Sequence, residues 1–394
     1  MYDRVHWMSG TRLRGGEDFP RQLKEELVTL PRPVLFVFDP VPVAAEEPLR
    51  AVYAQVPERM RWDRPARTPT VGEVRGAARE WSAAGAAAVV AVGGGSTLDF
   101  AKAAAHCMRY PDAWERDPSG GLVFPTAWEP PHVPVVAVPT TVGTGSELNG
   151  KAVVDYGGRR RLVFHWGMYP QAAIVHPDLF RAVPWDVLMG GALETLARLV
   201  VPAASERSPF AVADALAAAQ AAAVLEAVGR LRADPGGPRA RHDLAMTTAT
   251  SVLTLHQLGR SPYSYWLWYL VTELNNHGFT KRQALGLLLP LWVRLVREGG
   301  LPGAEALAGL DARAAALGAP GLTEALTAWG DAAVGDAPAA GGPALPDADG
   351  LTAAVLGDWG EGLAEAGIGG QEVRRVFTGL DRAGSGGAGA AVRK

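Results

Sequence analysis

The sequence predicts an α/β domain built on a parallel sheet, followed by an all-helical domain. Short β-branched runs at residues 34–38, 86–92, 133–138 and 172–175 alternate with helix-like stretches at 71–84 and 97–107, the pattern of a doubly wound parallel sheet. From Pro184 onward the β-branched runs stop, and long alanine- and leucine-rich segments replace them. At 394 residues the chain exceeds one ordinary core, so the change of pattern reads as a boundary between residues 1–181 and 182–394.

Taken in order, the run at 34–38 ends at Asp39-Pro40 and the run at 86–92 ends in Gly93-Gly94-Gly95, turn residues where a strand hands over to a helix. In the second domain Asp186 can cap a helix reaching about residue 201. Ser208-Pro209 reads as an N-cap followed by proline at the first helical position, opening a helix to about 231. Further helices are expected at 239–258, 263–274, 281–298 and 304–317. Residues 335–350, rich in Gly, Pro, Ala and Asp, read as an exposed loop, and 383–394 as a disordered tail. There is no internal repeat.

A net charge of -3 gives no electrostatic reason to expect nucleic acid as a partner. The one basic cluster, Arg159-Arg160-Arg161 after Gly157-Gly158, suits a small anionic ligand better than a polyanion. A single cysteine, Cys107, excludes an internal disulfide and a multi-cysteine zinc site, and fits a reducing cytoplasm. The strongest apolar stretch is expected at 284–293, broken by Pro290 and closed by Arg294, so neither a membrane span nor a targeting segment is expected and the protein reads as cytoplasmic.

Two loops carry the chemistry. Gly93-Gly94-Gly95-Ser96 lies between a strand and a helix, where bare backbone lets a pyrophosphate approach and the helix N-terminus offers N–H groups with partial positive charge. A tight turn with no ligand remains open from the three glycines alone. The second loop, after the strand at 133–138, carries the hydroxyls of Thr140, Thr141, Thr144 and Ser146, with Gly143 and Gly145 letting the backbone bend close to a ligand. Asp39, at the end of the first strand of this unit, can bond ribose hydroxyls and repel a 2'-phosphate, which favours NAD over NADP; the alternative is a turn-forming aspartate before Pro40.

Together these loops resemble the iron-containing alcohol dehydrogenase family. The likeness runs from about residue 34 to 290 and is closest to the butanol dehydrogenase and broad aldehyde reductase branch. It continues through Gly145-Ser146-Glu147-Leu148-Asn149-Gly150-Lys151, His277-Gly278-Phe279, Gln283-Ala284-Leu285 and Leu288-Leu289-Pro290. The resemblance implies a Rossmann-like first domain and a helical second domain, the architecture shared with the dehydroquinate synthase-type sugar-phosphate cyclases, with a cleft between them. It implies that Gly94, Gly95 and Ser96 hold the pyrophosphate, that Asp99 lies near the nicotinamide ribose or amide, and that Thr140, Thr141 and Thr144 line the adenosine side. Arg161 falls near a cofactor-contacting lysine of the family.

The resemblance also implies iron or zinc held by an aspartate and a histidine four residues apart on one helix face, plus two later histidines. Here Gly191 and Thr195 stand at the first two places, Trp268 near the third and Lys281 at the fourth, so no catalytic metal is expected. Glu194 and Arg198 read as a surface ion pair, not a metal half-site. A metal-free carbonyl reduction needs another electrophile and proton donor. Lys281 can supply both, with His277 relaying the proton; the plainer readings are a solvated helix-start lysine and a histidine capping the turn before Gly278. The aromatic run 263–269 reads either as interface packing or as Trp268 and Tyr269 forming, with Thr195, an apolar floor for substrate.

The expected function is a metal-independent, NAD-dependent (NADP possible) oxidoreductase of specialised metabolism, acting on an aldehyde, ketone or imine in the interdomain cleft of a homodimer. The alternative is a non-catalytic, cofactor-binding relative that serves as a partner or regulatory subunit.

Overall fold

The computed structural model describes residues 9–16, 18–39, 43–115, 118, 120–125, 132–335, 343 and 345–387. In chain order the strands are β1 (Arg12–Gly15), β2 (Val34–Phe38), β3 (Arg59–Asp63), β4 (Ala88–Gly93), β5 (Leu122–Val123), β6 (Val135–Pro139), β7 (Lys151–Tyr156), β8 (Arg159–Phe164) and β9 (Ala172–Val175). The helices of the first half are α1 (Phe19–Thr29), α2 (Val43–Ala54), α3 (Val71–Ala83) and α4 (Gly95–Arg109). Those of the second half are α5 (Trp185–Ser205), α6 (Ala211–Ala233), α7 (Pro238–Ser251), α8 (Leu267–Asn276), α9 (Lys281–Arg297), α10 (Ala304–Ala316), α11 (Leu322–Gly335), α12 (Ala348–Glu365) and α13 (Gly370–Gly387). The chain forms two compact units that divide within α5 rather than at 181: one holds His6–Ala192 and Ala227–Leu253, the other Leu193–Glu226 and Thr254–Lys394.

In the first unit a six-stranded, all-parallel sheet runs in the order β1-β9-β6-β4-β2-β3. Its central strands β2, β4 and β6 are buried at every residue, which is why they read as continuous apolar runs rather than alternating ones. Register aligns the strand ends. Phe38 pairs with Val92 and Gly93 with Pro139, so β2, β4 and β6 end side by side, and Asp39, Gly94 and Thr140 emerge together at their carboxyl ends. Trp81 of α3 meets Trp62 and Phe100 edge-on at 5.7 and 5.6 Å, pinning α3 and α4 on one face of the sheet. The basic run at 159–161 belongs to an antiparallel hairpin of β7 and β8, turned by Gly157 and Gly158 at φ 64° and 91°.

The second unit is helical, as expected, with corrections at several helix ends. α6 begins at Ala211, not 209, because Ser208 Oγ bonds the Leu258 carbonyl and accepts from the Phe210 N–H, forming a turn ahead of the helix. α7 stops at Ser251, before Thr254 at φ 56°, instead of reaching 258. α8 starts at Leu267 because the Tyr263–Trp266 stretch is turned by Ser261 and Ser264. α12 begins at Ala348, inside the expected loop, with Asp347 as its N-cap; residues 336–342 and 344 of that loop lie outside the described residues. α13 runs through Gly387, past the expected start of a tail at 383, and buries Val373, Val376, Phe377 and Leu380 on one face; residues 388–394 lie outside the described residues.

Two helices, α5 and α6, are long and apolar enough to cross a membrane, which corrects the choice of 284–293 as the strongest apolar stretch. Inside the protein 83% of the apolar window of α5 is buried, the signature of a core helix.

Candidate active site

The glycine turn is gripped from below. Asp39 is 8% exposed, and its Oδ2 accepts from the Gly94 N–H and the Thr97 hydroxyl, each at 2.8 Å. Burial pushes this carboxyl upward, opposed by those two hydrogen bonds and by the charge of Arg64. Arg64 donates to the Ser96 carbonyl at 2.7 Å and to the Arg67 carbonyl at 2.8 Å, with its guanidinium 4.4 Å over the Phe100 ring. A carboxylate and a guanidinium therefore fix the first turn of α4. The N–H groups of Gly95 and Ser96, in the first helical positions, have no possible intrahelical acceptor and are the ones available to an anion.

The two loops interlock. A Cβ at Gly95 would lie 2.5 Å from the Thr144 hydroxyl and methyl, one at Gly94 would lie 3.1 Å from Thr141 Oγ1, and one at Gly93 would run into the Asp39 carboxylate. Thr140 donates its N–H to the Gly93 carbonyl at 3.0 Å and is itself buried. These close approaches explain why glycine fills all three positions. Asp99 faces the hydroxyl loop from α4: it accepts from the Ser146 hydroxyl and from the Val153 N–H at 2.9 Å. Arg161 lies on β8 opposite Val154 and is 8% exposed.

Lys102, one turn beyond Asp99, is wholly buried. Its ammonium donates to the carbonyls of Ser146 and Asn149 at 2.9 and 3.0 Å and to that of Lys151, tying α4 to the end of the hydroxyl loop. Burial pushes it down to about 8, against the raising influence of Asp99 and Glu147.

In the helical unit, Lys281 opens α9 behind a capping box of Thr280 and Gln283. Its Nζ donates to Glu194 Oε1 at 2.9 Å, which joins α9 to α5. Arg198 Nη2 lies 3.6 Å from the same oxygen. Glu194 and Arg198 do form the expected i, i+4 pair, but it is a buried one: both side chains are 8% exposed, because α5 is a core helix. Thr195 is fully buried beside them. His277, the C-cap of α8, bonds Glu273 Oε1 at 3.1 Å. Trp268 meets Tyr265 edge-on at 6.4 Å, whereas Tyr269 stacks on Trp359 at 4.2 Å with the rings 6° apart and is committed to helix packing. His256 is buried against the Arg198 carbonyl and the Tyr265 hydroxyl; burial, with Arg198 and Arg260, drives it down to about 3.

The four positions aligned with metal ligands do not fit a metal. Gly191 has no donor and no room for one, since a Cβ there would lie 2.5 Å from the Val142 carbonyl oxygen. Thr195 and Trp268 are poor ligands, and the Lys281 ammonium is held by Glu194. Among the described residues no group of three or more His, Cys, Asp or Glu is arranged to hold a metal ion. The sequence reading missed Arg64, Lys102 and the inward role of Glu194. The first two carry a legible hint, a cation within or beside the phosphate-turn elements, but their burial depends on carbonyls distant in the chain.

The fold is that of the iron-containing alcohol dehydrogenases. It matches NADH-dependent butanol dehydrogenase A from Thermotoga maritima with a TM-score of 0.75 at 19% identity, over 96% of this chain and 98% of that one. It matches the sulfoacetaldehyde reductase of Bifidobacterium kashiwanohense, solved with NAD+, with a TM-score of 0.61 at 24% identity, over 79% and 86%. In sequence, residues 10–177 match the iron-containing alcohol dehydrogenase family. The 4-hydroxybutyrate dehydrogenase of Cupriavidus necator is 32% identical over 179 residues, 44% of this chain and 46% of that protein. The phosphonoacetaldehyde reductase of Streptomyces viridochromogenes is 39% identical over 132 residues, 32% of this chain and 33% of that protein. The chain thus spans less than half the length of these curated relatives.

Proposed function

We propose that the protein is an NAD-dependent oxidoreductase that interconverts an aldehyde, ketone or imine with its reduced form, without a catalytic metal. The observation that carries this reading is the contrast between the two units. The glycine and hydroxyl loops keep a backbone cradle fit for a pyrophosphate, whereas the ligand positions have become Gly191, Thr195, Trp268 and Lys281. The bound nicotinamide supplies hydride chemistry. The residues of this chain bind and orient it: Gly95 and Ser96 N–H groups toward the pyrophosphate, Asp39 near the ribose, and Thr140, Thr141 and Thr144 along the adenosine side. Lys281 stabilises the oxygen or nitrogen on which negative charge develops and delivers its proton, with His277 as the relay from solvent.

The relatives named for 4-hydroxybutyrate and phosphonoacetaldehyde put short carbonyl compounds with an anionic far end first in any substrate panel. The test is NADH oxidation in the presence of a strong chelator with such a panel. Sustained turnover supports the reading. Cofactor binding without turnover on any carbonyl or imine would favour a non-catalytic, cofactor-binding subunit instead.

A further inference from the structure

We propose that Glu194 is the positioning residue for Lys281, holding the ammonium charged and fixing its place over α5. The inference rests on the reading of Lys281 as proton donor. A lysine at the first position of a helix gains nothing from its own helix, since the N-terminal end of the dipole repels a cation. What fixes it must come from elsewhere, and Glu194 reaches it from α5 at 2.9 Å with a carboxylate that is itself buried. The ammonium is 35% exposed and able to exchange protons, so the pair has one fixed partner and one accessible partner.

Among the described residues, the other charged groups around Lys281 are few. Arg198, on α5, shares Glu194 Oε1 at 3.6 Å and favours an ionised carboxylate. Glu273 and His277 bond each other at the end of α8, and Arg282 follows Lys281 on α9. Asp311, Glu324 and Arg375, on the helices packed along α9, gather near Arg297 and Gly300 at its far end, about 24 Å away at 1.5 Å per residue. Glu194 is therefore the anion set against Lys281, and the geometry gives it two tasks: it favours the protonated amine at neutral pH, and it removes the freedom of a four-carbon stem.

The test compares Glu194→Gln, Glu194→Asp and Lys281→Met in steady-state reduction across pH 6–10, with cofactor affinity and melting temperature alongside. Glu194→Gln should lower kcat by roughly tenfold and move the alkaline fall-off of the rate to lower pH by about one to two units, the usual effect of losing a carboxylate at hydrogen-bond distance. Glu194→Asp should keep the fall-off in place while lowering kcat, because the charge remains and the reach is short by one methylene. Cofactor affinity should not move. A purely structural glutamate would lower the melting temperature of Glu194→Gln without shifting the fall-off, and that result overturns the proposal. Should Glu194→Gln fail to fold, the pH dependence of Lys281 acylation by acetic anhydride in the wild type decides: half-reactivity below that of an ordinary lysine would overturn it. Full turnover in Lys281→Met would instead overturn the donor assignment itself, whereas an inactive Lys281→Met beside a Glu194→Gln of normal profile would remove only the role of Glu194.

Discussion

Asp39 Oδ2 lies 2.8 Å from the backbone nitrogen of Gly94, so the carboxylate expected to read the cofactor ribose is also the acceptor that shapes the phosphate turn. The same oxygen receives the Thr97 hydroxyl at 2.8 Å. One oxygen is thus given to the turn, and any contact with a ribose falls to the other.

The two roles separate by mutation. Asp39→Asn keeps a carbonyl oxygen for the Gly94 N–H and the Thr97 hydroxyl but removes the charge, so the fold should hold and the preference for NADH over NADPH should narrow. Asp39→Gly removes both and should weaken the two cofactors alike, by roughly 10-fold or more, on the scale of about 1–3 kcal/mol for orphaned buried donors. Fluorescence titrations with each cofactor check this. An unchanged ratio in Asp39→Asn would leave Asp39 as a turn residue only.

Acid should destabilise the sheet unit through His106. Its Nδ1 accepts from Trp114 Nε1 at 2.9 Å, and its ring lies 4.4 Å from that of His165 and 6.5 Å from that of His132. Burial, followed by repulsion from those two imidazoles, depresses it to about 3 from an ordinary value of 6.5. Between these values the unfolded chain binds a proton that the folded chain refuses, so stability is full above about pH 6.5 and is lost as pH falls toward 3. From pH 6.5 to 4.5 the loss is about 2 kcal/mol for this one group. His106→Gln leaves an acceptor for Trp114 without a titrating ring and should flatten the acid limb of melting temperature against pH. An equally steep limb in that variant would assign the acid sensitivity to other groups.

Much of the fold was legible because buried parallel strands are continuous apolar runs bounded by turn residues, as in Val34–Phe38 and Ala172–Val175. The hairpin of β7 and β8 was not, because three successive arginines read as a charge cluster until the register with β7 shows them alternating, with Arg161 turned into the protein. At the site, the glycine turn and Asp39 were legible, but the direction of the carboxylate depends on the pairing of Phe38 with Val92, which no local pattern contains. The burial of Glu194 and Arg198 was likewise hidden. Spacing announced the pair, but its burial depends on how α5 is covered, and its third member Lys281 comes from a helix 87 residues away.

Gly191 offers a test of how far the metal position has closed. Val142 occupies the space a side chain would need, at 2.5 Å from its carbonyl oxygen to a Cβ. Gly191→Asp combined with Thr195→His should therefore lower stability by about 1–3 kcal/mol, the usual cost of overpacking, without creating a tight zinc site. Elemental analysis and thermal melting decide it. One zinc per chain at wild-type melting temperature would show that the position is still open.

The proposal that Lys281 does the work assigned to a metal elsewhere in this fold is tested most directly by the turnover of wild type and Lys281→Met side by side, with a short aldehyde and NADH, in chelator. Wild type is expected to keep its rate. Lys281→Met is expected to lose roughly 10²-fold in kcat with NADH affinity nearly unchanged, the scale for removing a positioned acid. A wild type silenced by chelator and restored by Fe(II) or Zn(II), or a Lys281→Met protein turning over at the wild-type rate, would contradict it.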